Sequence, residues 1–201
     1  AHIILFISSD AEEKVLRLAG AHIALRGLSA PVFDAAADPV STALACAYLC
    51  YYSCCAGDTW SSELGVLSKA EPILITTLRR CKRGTNGGVS PLGTGAALGG
   101  GLVCGAAAVG FGTLAAAPAS GAVWAALPLC VGAGLFGSMV DSLLGATLQF
   151  SGFDPVKGKV VNKPGPGVTR ISGLNFLDNH AVNFVSALIT SAAGAPGPVL
   201  H

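Results

Sequence analysis

The chain has 201 residues, of which 52% are hydrophobic and 11% are Asp, Glu, Lys or Arg, and its formal net charge is +1. A soluble domain carries about 25% charged residues, so this composition excludes a protein wetted on all sides, and the near-zero charge gives no footing for a nucleic acid. Residues 84–140 contain no Asp, Glu, Lys or Arg, and Asp141 follows at once in an apolar, glycine-rich run; about 20 apolar residues cross a bilayer as a helix, so the expected fold class is all-α, a multi-pass integral membrane helical bundle.

In chain order, residues 1–38 form an N-terminal segment. Over 10–27, Val15, Leu16, Leu18, Ile23 and Leu25 lie among charges, the weak periodicity of a surface helix. The segment starts at Ala1 and lacks the basic start, apolar run and small-residue cleavage site of a secretory signal, which reads as a copy incomplete at its N-terminus. The membrane domain is expected over 39–193, with crossings at 39–57, 92–117, 123–148 and 178–193. A short turn at 118–121 joins the second and third crossings, and a tail follows at 194–201.

The cations are bunched. Lys69, Arg79, Arg80, Lys82 and Arg83 fall in the loop 61–83, and Lys157, Lys159, Lys163 and Arg170 in the loop 151–170. Two crossings separate these loops, so both emerge on one side, and the positive-inside bias makes that side cytosolic and the turn at Pro118 lumenal.

Cys46, Cys50, Cys54, Cys55, Cys104 and Cys130 lie in apolar stretches, where thiols act as small apolar groups. Cys46, Cys50 and Cys54 recur at helical spacing, but no neighbouring His or C-x-x-C pair completes a zinc set. Gly95, Gly99, Gly101, Gly105, Gly132, Gly134 and Gly137 recur at spacings that let helix backbones approach closely in lipid. The run from Gly132 to Gly137 spells G-x-G-x-x-G but follows no strand, so it is read as packing rather than dinucleotide binding.

Asp58 and Glu63 fall where the first crossing meets the interface. Magnesium takes one or two carboxylates with waters and phosphate oxygens, which suits so sparse a set; the alternative is an interfacial Trp60 flanked by solvated acids. Five residues put the two acids on different faces unless the helix breaks. Gly84-Thr85-Asn86-Gly87-Gly88-Val89-Ser90 follows Arg79, Arg80, Lys82 and Arg83. Its backbone N–H groups and hydroxyls, with those cations, can cradle phosphate, and the helix starting near Leu92 adds a positive dipole end. Asn-Gly-Gly is equally turn chemistry. Asp141, near Ser138, Ser142, Thr147 and Gln149, can ligate the same ion or be a buried acid bonded to hydroxyls between helices. Asp178 and Asn179 open the last crossing, and Asn179 and Asn183 share a helix face.

Four stretches taken together are distinctive: Ala56-Gly57-Asp58-Thr59-Trp60-Ser61-Ser62-Glu63-Leu64-Gly65; the Gly84 to Ser90 loop; Gly137-Ser138-Met139-Val140-Asp141-Ser142-Leu143-Leu144-Gly145; and Leu177-Asp178-Asn179-His180-Ala181-Val182-Asn183. With Leu74-Ile75-Thr76-Thr77 and Val160-Val161-Asn162 in order between them, they closely resemble the transmembrane protein 19 family over residues 45–191; residues 1–37 do not carry the family's pattern. That family includes phytyl-phosphate kinases. The resemblance implies a kinase of the bilayer that passes phosphate from a nucleoside triphosphate to a prenyl (isoprenoid) monophosphate at the cytosolic face. On that reading Asp58, Glu63 and Asp141 hold magnesium and, with Asp178 and Asn179, make up the catalytic set. Arg79, Arg80, Lys82, Arg83, Thr85, Asn86, Gly87, Gly88 and Ser90 bind the nucleotide phosphates, and Asp178 or Asn179 orients the acceptor. The rival expectation is a non-catalytic multi-pass protein with a structural or lipid-binding role.

Overall fold

The computed structural model describes residues 39–115 and 121–195. The expected surface helix at 10–27, the turn around Pro118 and the tail beyond 195 lie outside them. Four helices form the body: α1 (Pro39–Gly65), α2 (Pro91–Ala115), α3 (Ala126–Leu148), entered through a 3-10 turn at Gly121–Ala125, and α4 (Asn179–Gly194). Pro39–Gly65, Pro91–Thr113 and Val123–Leu148 are long and apolar enough to cross a membrane, and α4 adds 16 residues. The protein is a helical membrane protein.

The bundle is sorted by size rather than by polarity. Its interior is built mainly from small side chains such as Ala45, Cys50, Cys54, Ala97, Cys130, Ala133 and Ala187, with Tyr51, Val109 and Val182 as larger exceptions, while Leu98, Leu102, Val103, Phe111, Phe136, Leu143, Leu188 and Ile189 face outward. Lipid gives large aliphatic side chains no reason to hide, so close backbone approach decides what goes inside. A Cβ at Gly57 would lie 2.6 Å from Gly134 O, and one at Gly134 would lie 2.8 Å from Ala97 O. Gly134, in the middle of the G-x-G-x-x-G run, thus packs helix against helix, whereas Gly95 and Gly132 face nothing within 4 Å. Helices α1, α2 and α3 pack on one another, and α4 packs on α1 and α3.

Helix α1 continues past Gly57, because no proline or turn sequence interrupts it before Gly65. Asp58 therefore stands two turns inside the helix rather than at its end. The C-terminal ends of α1 and α3 and the N-terminal ends of α2 and α4 all meet at one end of the bundle, so both basic loops emerge there.

Each of those loops carries a small antiparallel sheet, an addition to the all-helical expectation. In the first, β1 (Ile73–Leu74) lies between β2 (Arg79–Arg80) and β3 (Gly88–Val89). In the second, β4 (Ser151–Asp154) lies between β5 (Lys159–Val161) and β6 (Thr169–Ser172). Asn86 joins the two loops: its backbone N–H donates to Ser151 Oγ at 2.9 Å and its Nδ2 to Phe150 O at 3.0 Å. Lys82 Nζ stands 3.0 Å from the centre of the Phe153 ring, a cation–π contact between the loops.

Candidate active site

A cleft of about 310 Å³ opens where the four helix ends meet the first loop. Asp58 and Glu63 come from α1, Asp141, Ser142 and Gly145 from α3, Asn179 and Asn183 from α4, and Ser90 and Gly93 from the start of α2. Arg83 and residues 84–88 complete the wall.

The two inner carboxylates are fixed by partners on other helices. Ser138 Oγ, on α3, donates to Asp58 Oδ1 at 3.3 Å. Ser186 Oγ, on α4, lies 3.2 Å from Asp141 Oδ2 and 2.9 Å from Asn183 O, two acceptors that share its one proton. With its amide oriented to suit both neighbours, Asn183 Nδ2 donates to Asp141 Oδ2 and to Asn179 O, each at 3.0 Å. Cys54 Sγ lies 4.0 Å from Ser186 Oγ. Cys54 precedes Asp58 by one turn and Ser138 precedes Asp141 by one turn, so a closed ring of contacts ties α1, α3 and α4 around the two acids. Asp58 Oδ2 and Asp141 Oδ1 have no hydrogen bond among the described residues.

Glu63 does not join them. Five residues along an unbroken helix rotate a side chain by about 140°, and Glu63 ends on the exposed rim. Among the described residues no three His, Cys, Asp or Glu side chains group to hold a metal; Asp58, Asp141 and Glu63 all border the cleft, with Glu63 at its exposed rim. Two hard carboxylates fit magnesium, which keeps waters and takes phosphate oxygens for its other positions.

The loop over the cleft is shaped by Gly87. Its φ is +79°, a left-handed value that favours glycine, and a Cβ there would meet Ser142 O at 2.5 Å and run into Ala146. The loop can therefore lie flat on α3 only with glycine at this place. Ser90 caps α2, its Oγ accepting from Gly93 N at 3.1 Å, so the N-terminus of a long helix opens on the cleft and favours an anion there. Arg83 borders the same space, with Nη2 donating to Lys69 O at 3.1 Å.

Four expected residues lie elsewhere. Arg79 and Arg80 form the outer strand β2, where Arg80 Nη1 is 3.7 Å from Glu71 Oε2. Lys82 is committed to Phe153. Asp178 caps α4, accepting from Ala181 N at 2.9 Å. Among the loop residues expected to bind phosphate, Thr85 Oγ1 donates to Lys82 O at 2.6 Å and Asn86 Nδ2 is bound to Phe150 O, so both side chains shape the loop. Ser186, Asn183, Ser138 and Gln149 were not singled out as site residues. The signal for two of them was a polar stripe on α4: Asn179, Asn183 and Ser186 fall on one face at helical spacing.

The family model described as integral membrane protein DUF92 matches residues 12–191. The chain belongs to this family. The DUF92 family is the transmembrane protein 19 group that the motifs resemble, and the match begins well before residue 45, so the family's pattern reaches further back than expected. The chain is 51% identical over 170 residues to "Protein PGR" of Arabidopsis thaliana, covering 83% of this chain and 59% of that one. It is 34% identical over 106 residues to "Uncharacterized membrane protein MJ0933" of Methanocaldococcus jannaschii, covering 52% of this chain and 40% of that one. The chain thus spans less than two thirds of the length of both relatives. No solved structure matches it.

Proposed function

We propose that this DUF92 chain belongs to a phosphoryl-transfer enzyme that passes the γ-phosphoryl group of a nucleoside triphosphate to a prenyl monophosphate at the membrane surface. The observation that carries the reading is the meeting of two carboxylates, Asp58 and Asp141, with the N-terminus of α2, the Gly87 loop and Arg83 in one cleft. Phosphoryl transfer asks mainly for positioning and for neutralisation of charge on the phosphate oxygens, and these groups are of the kind that supply both.

Asp58 and Asp141 would hold magnesium, which when bound supplies charge neutralisation across the phosphate oxygens. The α2 N-terminus and the Arg83 guanidinium attract the nucleotide phosphates, and Asn179 orients the acceptor. An acceptor phosphate oxygen attacks the γ-phosphorus, the bond to the β-phosphate oxygen breaks, and the nucleoside diphosphate leaves with that electron pair. A phosphate monoester has a second pKa of about 6, so its attacking oxygen is already ionised and the step needs no general base. Both carboxylates are then free for the cation. The shared exit of two basic loops supports a cytosolic facing for the cleft.

The test is a transfer assay on purified full-length protein with labelled nucleoside triphosphate, magnesium and a panel of prenyl monophosphates, beside Asp58→Asn. Diphosphate product that disappears in the variant supports the reading. Folded protein that makes no product with any acceptor turns it toward the non-catalytic alternative, which the internal bonding of Thr85, Asn86 and Ser90 favours. Thermal stabilisation by magnesium and nucleotide separates the two, since a ligand that binds only the folded state raises its stability.

A further inference from the structure

We propose that the groove on the second loop sheet is a separate anion site that takes phosphate groups. The groove has a volume of about 510 Å³ and is lined by Lys157, Lys159, Lys163 and Asn162, with a wall from the Pro-Gly-Pro turn at 164–166. It shares no lining residue with the carboxylate cleft.

The charge in this groove is unbalanced. Asp154 is its one acid, and that carboxylate is already engaged: Oδ1 accepts from Val156 N at 2.9 Å and Lys157 N at 3.0 Å, while Oδ2 lies 3.4 Å from Lys157 Nζ. Lys159 and Lys163 have no carboxylate partner among the described residues. Two ammonium groups held on one concave wall repel each other, and an anion between them removes that repulsion. Ammonium groups bind phosphate as point charges without a fixed fork geometry, which suits a ligand that presents several equivalent oxygens.

The place of the groove narrows the ligand further. Asn162 Oδ1 lies 3.5 Å from Asn86 Nδ2, and a Cβ at Gly84 would touch Val160 at 3.8 Å. The groove therefore borders the loop that roofs the cleft, at the end of the bundle where the helices leave the lipid. Phosphate arrives there either as a lipid headgroup or as a soluble polyphosphate. This inference does not rest on the kinase reading.

The experiment uses full-length protein in detergent carrying Arg83→Ala, so that the cleft contributes little, with and without Lys159→Ala and Lys163→Ala together. Inorganic pyrophosphate binding is measured by calorimetry, and phosphatidic acid against phosphatidylcholine by native mass spectrometry. Removing the pair should weaken the anionic ligand roughly thirtyfold, and replacing both with Arg should keep most of the affinity. Loss of pyrophosphate assigns the soluble source, and loss of phosphatidic acid assigns the headgroup. A folded double variant that binds both ligands as its parent does overturns the proposal. Both lysines are exposed, so the unfolding midpoint should be the same with and without the substitutions.

Discussion

Ser138 Oγ on α3 donates a hydrogen bond to Asp58 Oδ1 on α1 at 3.3 Å, and Ser138 is itself 1% exposed. The bond aims one oxygen of a cleft acid by tying it to a neighbouring helix. Ser138→Ala should cost about 1 kcal/mol, the scale of an interhelical hydrogen bond in lipid. On the proposed kinase reading it should also raise the magnesium concentration needed for half-maximal activity more than it lowers the maximal rate. Thermal unfolding in detergent and a magnesium titration read the two effects, and an unchanged magnesium requirement would show the serine to be packing alone.

The backbone crossing at Gly57 and Gly134 makes a second prediction. With a Cβ at Gly57 only 2.6 Å from Gly134 O, Gly57→Ala must push α1 off α3 and should cost about 1–3 kcal/mol, the range for overpacking. Gly95→Ala is the control. Nothing lies within 4 Å of its Cβ, so the better helix former should be neutral or stabilising. If both variants unfold at the same temperature, the close approach of Gly57 to Gly134 does not limit the packing of α1 on α3.

The crossing helices were legible because the lipid-spanning stretches are written in hydropathy, which needs no knowledge of partners. Gly134 was legible as a packing residue for the same local reason. The position of Asp58 was not: Gly57 looks like a helix end, and only its contact with Gly134 explains a glycine in mid-helix. The sheets escaped notice because strands of two to four residues are too short to show alternation. Asp58 and Asp141 could be named from the cost of charge near lipid, yet the side chains that hold them, Ser186 and Asn183, are ordinary polar residues whose roles depend on where α4 docks. Glu63 shows the reverse limit of sequence spacing, an acid close in sequence to Asp58 that helical rotation carries to the exposed rim of the cleft.

The carboxylates should therefore separate in an activity assay. If the chain carries the proposed transfer activity, Asp58→Asn and Asp141→Asn should each lower it by about 100-fold or more, as removal of a group that stabilises transferring charge does. Glu63→Gln should change it little. Equal losses in all three would assign Glu63 to the proposed site beside the other two acids.

Asp154 gives a pH prediction outside the membrane. The Lys157 backbone N–H foremost, then the Val156 N–H and the Lys157 side chain, hold its pKa below the ordinary carboxylate value. A group whose folded pKa is lowered stabilises the fold above its unfolded pKa, about 3.9, and that contribution is lost as pH falls through the folded value. The β4–β5 hairpin should hold near neutral pH and open more readily in acid, with Asp154→Asn removing the acid-sensitive part. Limited proteolysis of the hairpin across acidic pH reads this, and identical profiles for native and variant protein would refute it.

Asn86 offers the sharpest division between binding and shaping. Its side chain spans the two loops, from Phe150 O at 3.0 Å to Asn162 Oδ1 at 3.5 Å, and its own N–H is held by Ser151. A residue so engaged has little left for a ligand, and on the proposed kinase reading it would serve the nucleotide by holding the Gly87 turn against α3. Asn86→Ala leaves Phe150 O without its donor, at a cost of about 1–3 kcal/mol, and lets the loop lift from the cleft. Under the proposed activity the nucleotide KM should then rise while kcat at saturation changes less. Ser151→Ala, which removes only the bond to the Asn86 backbone, should produce the same pattern more weakly. Were Asn86 instead a direct phosphate ligand, Ser151→Ala would leave the nucleotide KM untouched, and comparison of the two variants decides between the roles.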